Sequence, residues 1–324
     1  YISDLISGYQ FKRKIKAVVA CGNGTAGIFA PEVFNLLGIE VIPLHCDLDA
    51  SFPNYNPNPE DLKMLKDLGK HVLAHKADIG FAFDGDGDRV GVVDNNGHEI
   101  FADKIGLLIA RNLATEVSNS KFVIDVKSTS LFSTDEILKK NNSEIIFWKT
   151  GHSYIKRKTS DINATAGFER SGHFFFNNPI GRGYDDGILS ALEILKILDK
   201  NENQTISDLY NELTITFSSP TMSPKCPEES KYKLVEKIEE IFQHKKKNNE
   251  TVAGQKILSI LTVNGVRIHL EDGSWGLVRA SSNSPNLVVV CESTISEERM
   301  KEIFNDLNNE LMKFNEIGEY DQKI

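Results

Sequence analysis

The chain has 324 residues, of which 40% are hydrophobic and 26% are charged, and its formal net charge is −9. This composition is ordinary for a globular protein, its acidic balance argues against general nucleic-acid binding, and no membrane span or signal-peptide pattern is present. The four cysteines, Cys21, Cys46, Cys226 and Cys291, show no paired spacing, so we expect reduced thiols in a cytoplasmic protein without membrane or nucleic-acid partners.

The first third of the sequence alternates strand-like and helix-like segments. The expected elements are a strand at 15–20, a helix up to 37, a strand at 39–44, a helix near 60–69, a strand at 80–83, a hairpin turn at 95–97 and a helix at 102–115. We predict a first α/β domain over residues 1–118. The glycines of the 22–27 turn do not match the dinucleotide fingerprint, so a tight strand-to-helix turn is favoured over a phosphate site.

An acidic run after the 80–83 strand is the most informative motif. Asp84, Asp86 and Asp88 stand at alternate positions with only glycine between them. Three adjacent carboxylates repel one another, and Mg²⁺ relieves that repulsion because it prefers oxygen ligands. Arg89 follows and adds a planar donor suited to a phosphate. The alternative without a metal is a solvated acidic turn. An EF-hand calcium loop is excluded, because Arg89 and Asn95 occupy the positions where that motif needs glycine and glutamate.

A second α/β domain is predicted over residues 119–217. Its expected elements are strands at 122–126, 145–148 and 164–169 and helices at 131–140, after 152 and at 185–198. Ligands of such sheets bind at the carboxyl ends of strands. The residues at or just after strand ends are Asp84, Lys127, Lys149 and Glu169, and we expect them to share one cleft.

Polar side chains of this second domain suit an anionic sugar. Glu169, Ser171 and His173 alternate, which places them on one side of an extended segment, where they could bind the hydroxyls of a sugar; a polar edge hairpin is the alternative. Lys127 and Lys149 suit an anion or a proton transfer. Arg182 is a further candidate cation.

The last part of the sequence reads as an α+β domain over residues 218–324. A proline-rich linker at 218–227 precedes a helix at 229–246, strands near 256–261, 265–270, 275–280 and 286–292, and a helix at 296–314. One arginine, several hydroxyls and an amide between Arg279 and Pro285 make a candidate phosphate cradle. Together, the three regions indicate phosphoryl transfer on a phosphosugar, with a metal and arginines neutralising the moving group.

These motifs resemble the α-D-phosphohexomutase superfamily, and its bacterial phosphomannomutase/phosphoglucomutase branch most closely. The resemblance extends over essentially the whole chain and keeps the order of the motifs. It rests on the acidic run 84–89, the Gly167–His173 segment, the Trp148–Lys156 segment, the Gly183–Gly187 segment and the Gly276–Ser281 segment.

The resemblance implies two similar α/β mixed-sheet sandwich domains and an α+β C-terminal domain that is TATA-box-binding-protein-like. It also implies a magnesium-dependent isomerase of carbohydrate metabolism, acting on mannose or glucose 1- and 6-phosphates as a monomer or weak dimer. The implied metal ligands are Asp84, Asp86 and Asp88, and the implied catalytic residues are Arg89, Lys127 and His152. The implied substrate-binding residues are Lys149, Glu169, Ser171, His173, Arg182, Arg279, Ser281, Ser282 and Asn283.

Two departures from the family pattern matter. Ser282 and Asn283 stand where the phosphate loop usually has other residues, including a threonine. The family's phosphoserine segment, T/S-A-S-H-N-P, does not occur in these 324 residues, so we expect the second to fourth domains of a four-domain enzyme and no turnover by this chain alone. Phosphoglucosamine mutase and a non-catalytic sugar-phosphate-binding protein stay open as alternatives.

Overall fold

A computed structural model describes residues 1–322 and 324 of the chain. The chain divides into two compact units, one of residues 1–146 and 152–213 and the other of residues 147–151 and 214–324. The described residues form three β-sheets, and none of their helices combines the length and the apolar character needed to cross a membrane. The domain boundaries at 118/119 and 217/218 stay a prediction.

The first sheet lies in the first unit. Its strands and neighbouring helices are α1 (Ile2–Ser7), β1 (Lys16–Ala20), α2 (Ala26–Leu36), β2 (Glu40–Leu44), α3 (Leu62–His75), β3 (Ile79–Phe83), β4 (Val90–Asp94), β5 (Glu99–Ile100) and α4 (Ala102–Glu116). The strand order is β2-β1-β3-β4-β5. β1 runs parallel to β2 and β3, whereas β3–β4 and β4–β5 are antiparallel pairs.

The second sheet follows directly in the sequence. Its elements are β6 (Lys121–Asp125), α5 (Leu131–Thr134), α6 (Glu136–Lys140), β7 (Glu144–Trp148), α7 (His152–Asp161), β8 (Ala166–Phe168), β9 (Phe174–Phe176), α8 (Gly187–Lys200) and α9 (Ile206–Asn211). The strand order is β7-β6-β8-β9. β6 and β8 are parallel and β8 and β9 are antiparallel, so this sheet is mixed like the first.

The third sheet belongs to the second unit and is antiparallel throughout. Its elements are β10 (Phe217–Ser218), α10 (Lys231–Lys247), β11 (Thr251–Val252), β12 (Gln255–Leu261), β13 (Val266–Leu270), β14 (Trp275–Ala280), β15 (Leu287–Ser293) and α11 (Glu297–Leu311). The strand order is β10-β15-β14-β13-β12-β11. The predicted fold class, two mixed α/β sheets followed by an α+β region, is confirmed.

Helix α3 shows how the first sheet is covered. Asp61 caps the helix by accepting the backbone N–H groups of Lys63 and Met64, which leaves fewer unsatisfied donors at its first turn. The buried face of α3 includes Leu68 and Val72. A Cβ at Gly80 of β3 would come within 2.8 Å of both side chains, so the glycine allows this close approach of helix and sheet without displacing them.

The second unit is built around a stack of rings and a buried guanidinium. Arg267 is 0% exposed, and its guanidinium lies 3.7 Å from the ring centre of Trp275 and 4.6 Å from that of Phe147. Trp275 donates its indole N–H to Glu292 at 2.8 Å. Aromatic faces attract such cations, and this contact explains why Phe147 groups with the second unit.

Three predicted elements differ from the structure. Helix α3 continues to His75, beyond the expected end at 69. The expected helix at 131–140 is divided into α5 and α6, because Asp135 accepts the N–H groups of Ile137 and Leu138 and begins a new helix. The proline-rich segment 218–227 was wrongly predicted as a linker, since Met222 bridges to Val289 of β15 and is buried.

Candidate metal and sugar-phosphate site

The acidic loop, residues 84–89, connects the antiparallel strands β3 and β4. Gly87 has a positive φ of 81°, a conformation that side chains rarely adopt, and this lets the chain reverse within the loop. One carboxylate oxygen from each of Asp84, Asp86 and Asp88 lies within 4.8 Å of the other two. The structure therefore brings together the three side chains that the sequence predicts as metal ligands.

Asp84 holds the shape of the acidic loop. Its Oδ1 accepts the backbone N–H groups of Gly87 and Arg89, each at 3.1 Å, and its Oδ2 accepts the Arg89 Nε–H at 2.6 Å. The side chain is buried. Burial raises the pKa of Asp84, and the Arg89 contacts partly offset that rise. The loop is thus organised by one of its own carboxylates.

The oxygen donors fit a magnesium ion in number and kind. Octahedral Mg²⁺ with Mg–O distances of about 2.1 Å keeps its ligand oxygens about 3 Å apart when adjacent and about 4 Å apart when opposite. The observed spacing of at most 4.8 Å is close to that range, so small side-chain movements suffice. Hard carboxylate oxygens select such a cation over softer metals.

Arg89 connects the acidic loop to the proline-rich segment before α3. Its Nη1 donates to Asn58 Oδ1 at 3.2 Å and lies 3.8 Å from Glu60 Oε2, while Nε binds Asp84. A guanidinium has five N–H donors. Arg89 is therefore fixed on one side by Asp84 and Asn58 in an orientation beside the triad.

The second predicted motif is a tight hairpin turn between β8 and β9, which we call the polar turn (residues 169–173). The expectation that these residues form an extended segment was wrong: the Glu169 N–H donates to the His173 carbonyl at 3.0 Å, and Gly172 has a φ of 95°. The three side chains still meet. His173 Nδ1 lies 3.0 Å from Ser171 Oγ and 3.3 Å from Glu169 Oε2.

The polar turn and the acidic loop are in direct contact. Arg89 and His173 form a β-bridge, and the Val90 N–H donates to the Gly172 carbonyl at 3.2 Å. His173 Nε2 lies 3.4 Å from Asp88 Oδ1. Two sequence-distant motifs are therefore parts of one site in the first unit.

The charges of this contact favour ionised partners. Burial lowers the pKa of His173, but Asp88 and Glu169 outweigh burial and raise it to about 9. Burial likewise opposes the ionisation of Asp88, and the hydrogen bond and charge of His173 still lower its pKa. An imidazolium next to the triad thus partly compensates its negative charge.

His152 reaches the same site from the start of α7. Its ring stacks on that of His173, with ring centres 5.7 Å apart and planes 26° from parallel. Its Nδ1 lies 3.5 Å from Asp185 Oδ2, and Lys156 binds the other oxygen of Asp185 at 3.5 Å. The half-exposed His152 is accordingly held beside the polar turn by Asp185.

Lys127 follows β6 and is tied to the polar turn through a buried carboxylate. Asp125 accepts the Lys127 N–H at 2.9 Å and the Arg170 N–H at 3.4 Å, and Arg170 Nη1 donates to the Lys127 carbonyl at 3.4 Å. Asp125 is fully buried. Hydrogen bonds therefore join the loop that carries Lys127 to the turn that carries Glu169.

Two glycines allow neighbouring elements to support the acidic loop. The Thr25 N–H donates to the Gly85 carbonyl at 2.9 Å, and a Cβ at Gly24 would lie 2.8 Å from that oxygen. On α8, the Gly187 N–H donates to the Gly87 carbonyl at 3.0 Å. The turn after β1 and the first turn of α8 thus both contact the loop's backbone.

Replacing Gly187 with alanine should distort the acidic loop. The new Cβ would lie 2.7 Å from the Arg89 carbonyl and 2.8 Å from that of Gly87, although alanine is the better helix former. We expect a loss of about 1–3 kcal/mol of stability from this overpacking and weaker Mg²⁺ binding, measured by thermal unfolding and by Mg²⁺ titration.

The matched control is Gly8→Ala, since a Cβ there would have only a carbonyl oxygen at 3.9 Å as its nearest neighbour. If Gly187→Ala kept the stability and the Mg²⁺ affinity of the Gly8→Ala variant, the close contact between α8 and the loop would be irrelevant to the site.

The predicted phosphate cradle lies in the second unit, after β14. Ser281 Oγ and Ser284 Oγ are 2.9 Å apart, and the Asn283 N–H donates to Ser281 Oγ at 3.4 Å. Lys231, which is fully buried, donates to the Ser284 carbonyl at 3.1 Å. The buried ammonium group of Lys231 thus stabilises this turn.

The remaining predicted residues of the cradle have different neighbours. Arg279 Nη1 donates to the Ala280 carbonyl at 2.9 Å, and Gly265 packs directly against the backbone of Arg279. The segment 147–151, which contains Lys149, belongs to the same unit, where the Thr150 N–H donates to Asn264 Oδ1 at 3.3 Å. Ser282 follows Ser281 in the turn. The substrate roles of these residues stay predictions.

Arg182 contacts residues outside the acidic loop. It forms a bidentate ion pair with Asp4 of α1, at 2.7 and 2.9 Å, and lines a pocket with Tyr1 and Tyr184. Its predicted role in substrate binding stays a prediction.

Four residues that contact the candidate site residues or the turns that carry them were not identified from the sequence. They are Asp125, Arg170, Asp185 and Lys231. Asp125 carries a usable signal, because it is a carboxylate at the end of an apolar strand, two residues before Lys127. The pairing of Asp185 with His152 and Lys156 has no local signal, since it joins residues from different segments.

The fold and the site define an α/β protein that presents a carboxylate triad beside a histidine-bearing turn. Family models described as phosphoglucomutase/phosphomannomutase match three consecutive parts: alpha/beta/alpha domain II at residues 1–97, alpha/beta/alpha domain III at 101–217 and the C-terminal domain at 225–310. The chain belongs to this family of the phosphohexomutase superfamily, as the sequence motifs led us to expect.

Two relatives with similar sequences support this assignment to the family. A Pseudomonas putida phosphomannomutase/phosphoglucomutase is 36% identical over 306 residues, covering 94% of this chain and 63% of the relative. A Neisseria meningitidis serogroup A phosphoglucomutase is 36% identical over 293 residues, covering 90% of this chain and 60% of the relative.

A solved family member has the same fold. The phosphoglucomutase/phosphomannomutase family protein of Burkholderia thailandensis superposes with a TM-score of 0.84 at 31% identity, covering 97% of this chain and 63% of that protein. The chain thus spans less than two thirds of the length of these relatives.

Proposed function

We propose that this chain forms the magnesium-binding and sugar-phosphate-binding part of a phosphohexomutase that interconverts hexose 1-phosphate and hexose 6-phosphate. The reaction proceeds through a bisphosphate and a phosphoserine, and the phosphoserine segment of the family is not among these 324 residues. Mannose and glucose phosphates are the proposed substrates, in accordance with the names of the most similar relatives reported above.

The observation that carries this proposal is the contact between the two motifs. The triad of carboxylates, within 4.8 Å of one another, lies against a turn whose carboxylate, hydroxyl and imidazole also contact one another. An acidic turn that only faces solvent would not need the imidazole of His173, which lies 3.4 Å from Asp88. It would also not need the contact with α8.

Asp84, Asp86 and Asp88 would hold Mg²⁺, which supplies positive charge to stabilise a phosphoryl oxygen. Arg89, fixed through Nε and Nη1, would place its planar donor on the phosphoryl group. Charge stabilisation by groups already in position is a large part of catalysis, because they need no reorganisation during the reaction.

Glu169 and Ser171 would bind sugar hydroxyls, and His173 would orient them through its contacts with both side chains. Lys127 and His152 are the acid/base candidates for the sugar hydroxyl that loses or gains a proton. In the second unit, Arg279, Ser281, Ser282 and Asn283 would bind the phosphate that does not react, with Lys149 as an additional cation. Such a remote anchor supplies orientation.

The test measures binding and turnover separately. We expect calorimetry to show Mg²⁺-dependent binding of glucose 1-phosphate to this chain, no binding of glucose, and no interconversion of glucose 1- and 6-phosphate. Lack of binding of any hexose phosphate would contradict the proposed site, and turnover by this chain alone would contradict the need for a separate phosphoserine.

The identity of the sugar is tested on the parent protein that carries the phosphoserine segment. We expect it to use mannose 1-phosphate faster than glucosamine 1-phosphate. The reverse order would identify a phosphoglucosamine mutase, and binding without any turnover would identify a sugar-phosphate-binding protein.

A further inference from the structure

Two cysteines that are 25 residues apart in the sequence meet at the edge of the first unit's site. Cys21 directly follows β1 and Cys46 closely follows the parallel neighbour β2. Their sulfur atoms are 3.6 Å apart. The spacing of the two cysteines in the sequence does not predict this contact, because parallel strands bring together segments that are separated by a whole helix.

The two sulfur atoms are close enough for a disulfide to form after side-chain rotation. A disulfide needs an S–S distance of about 2.05 Å and Cβ atoms about 3.5–4.5 Å apart. The observed gap between the sulfur atoms therefore has to shrink by about 1.5 Å, which is within reach of side-chain rotation at two residues that follow the ends of adjacent strands. The backbone around them is also joined, since the Cys21 N–H donates to the Leu44 carbonyl at 3.1 Å.

The two sulfurs have different environments. These environments suit an attacking thiol, which reacts with the oxidant, and a resolving thiol, which then forms the disulfide. Cys21 is buried, whereas Cys46 is partly exposed and can meet a solute. The hydrogen bond between the two sulfurs lowers the pKa of Cys46 and raises that of Cys21. The reactive form of cysteine is the thiolate, so Cys46 is the sulfur that attacks first.

The other two cysteines provide an internal comparison. Cys226 and Cys291 are both buried, and burial raises the pKa of Cys226. The Cys226 sulfur lies 3.8 Å from Ser230 Oγ. Burial outweighs the hydrogen bond with Ser230 and the charge of Lys231, which both favour the thiolate, so we expect Cys226 to react later than Cys46.

We propose that Cys21 and Cys46 are a site of reversible oxidation that takes hydrogen peroxide as its oxidant. The Cys46 thiolate attacks the peroxide O–O bond, so that an S–O bond forms and hydroxide leaves as water. The Cys21 sulfur then attacks the Cys46 sulfenic acid, and the S–S bond forms as the second oxygen leaves with the Cys21 proton as water. Two thiols are oxidised and one peroxide is reduced to two waters.

The pair lies next to the turn that supports the acidic loop. The Cys21 carbonyl accepts the Gly24 N–H at 2.7 Å, and Thr25, the next residue, donates its N–H to the loop at Gly85. The Asn23 N–H donates to the His45 carbonyl at 2.7 Å. The disulfide would thus join the two segments whose hydrogen bonds already position this turn.

The test treats the folded chain with hydrogen peroxide near neutral pH, alkylates the remaining thiols after denaturation so that buried cysteines also react, and maps the peptides by mass spectrometry. We expect a mass loss of about 2 Da, two alkylated cysteines instead of four, a Cys21–Cys46 linked peptide, and reversal by dithiothreitol. Four alkylated cysteines, a link through Cys226 or Cys291, or sulfinic acid on Cys46 without a link would overturn the proposal.

Variants keep the test decisive. We expect Cys46→Ser to abolish the linked peptide and the loss of mass, and the matched variant Cys226→Ser to retain both. If Cys46→Ser does not fold, the peptide map of the native chain and of Cys226→Ser decides the matter alone. Unchanged oxidation of Cys46→Ser would contradict the assignment of Cys46 as the attacking sulfur.

Discussion

Replacing Asp86 with asparagine should remove Mg²⁺ binding while leaving the fold intact. Asp86 is the exposed member of the triad, and it lacks the hydrogen bonds through which Asp84 shapes the acidic loop. Even residues that only support metal ligands change affinity by about 10–100-fold, so we expect the loss of a direct carboxylate ligand to weaken Mg²⁺ binding on the order of 100-fold or more. Calorimetric titration with Mg²⁺ measures the effect.

The control for this variant is Asp161→Asn. Asp161 is an exposed carboxylate at the end of α7, in the same unit, and its Oδ2 lies 3.7 Å from Arg157 Nε. Both variants remove one negative charge, so a general electrostatic effect would appear in both. Equal Mg²⁺ affinities in Asp86→Asn and the unmodified chain would remove the basis for a metal site in the acidic loop.

Truncating Phe168 to alanine should give the largest loss of stability in the first unit. The ring is fully buried, and its centre lies 5.3 Å from Phe174, 5.9 Å from Phe132 and 6.0 Å from Phe122. Removing a buried phenyl ring costs about 3–5 kcal/mol, because it loses burial and leaves a cavity. The damage also reaches the site, since Glu169 begins the polar turn immediately after this residue.

Hydrogen exchange is the suitable measurement, because a chain of several units has no single free energy of unfolding. A loss of 3 kcal/mol speeds exchange by about 100-fold at amides that need the whole sheet to open, and we expect this at β6 and β8. Tyr154→Ala, which truncates an aromatic residue that is half exposed, is the control. Protection at β6 that matches the control would show that the ring is not central to this sheet.

The acidic loop could be predicted from the sequence because its information is local. Apolar strands on both sides, alternating carboxylates and intervening glycines specify a hairpin whose side chains converge. The polar turn was harder, because alternation was read as a continuing strand, while the positive φ of Gly172 permits a reversal that the pattern does not reveal. The three side chains nevertheless met, since a tight turn also gathers residues two positions apart.

The long-range contacts could not be predicted for a different reason. Arg182 and Asp4 are 178 residues apart, and Cys21 and Cys46 follow the ends of different strands. Such pairs depend on strand order and register, and no window of sequence contains them. The link from Lys127 through Asp125 to Arg170 likewise requires β6 and β8 to be neighbours.

The glycines that let the polar turn and α8 touch the acidic loop also limit how the family's domains can be recombined. A Cβ at Gly172 would lie 2.6 Å from the Val90 carbonyl, and one at Gly187 would lie 2.8 Å from that of Gly87. A chimaera that takes residues 1–97 from one relative and the rest from another therefore inherits a working interface only if its second parent has glycine at both positions. In this chain, the contact between residues 84–89 and the segments with Gly172 and Gly187 depends on matched surfaces, so we expect the parts not to exchange as independent modules.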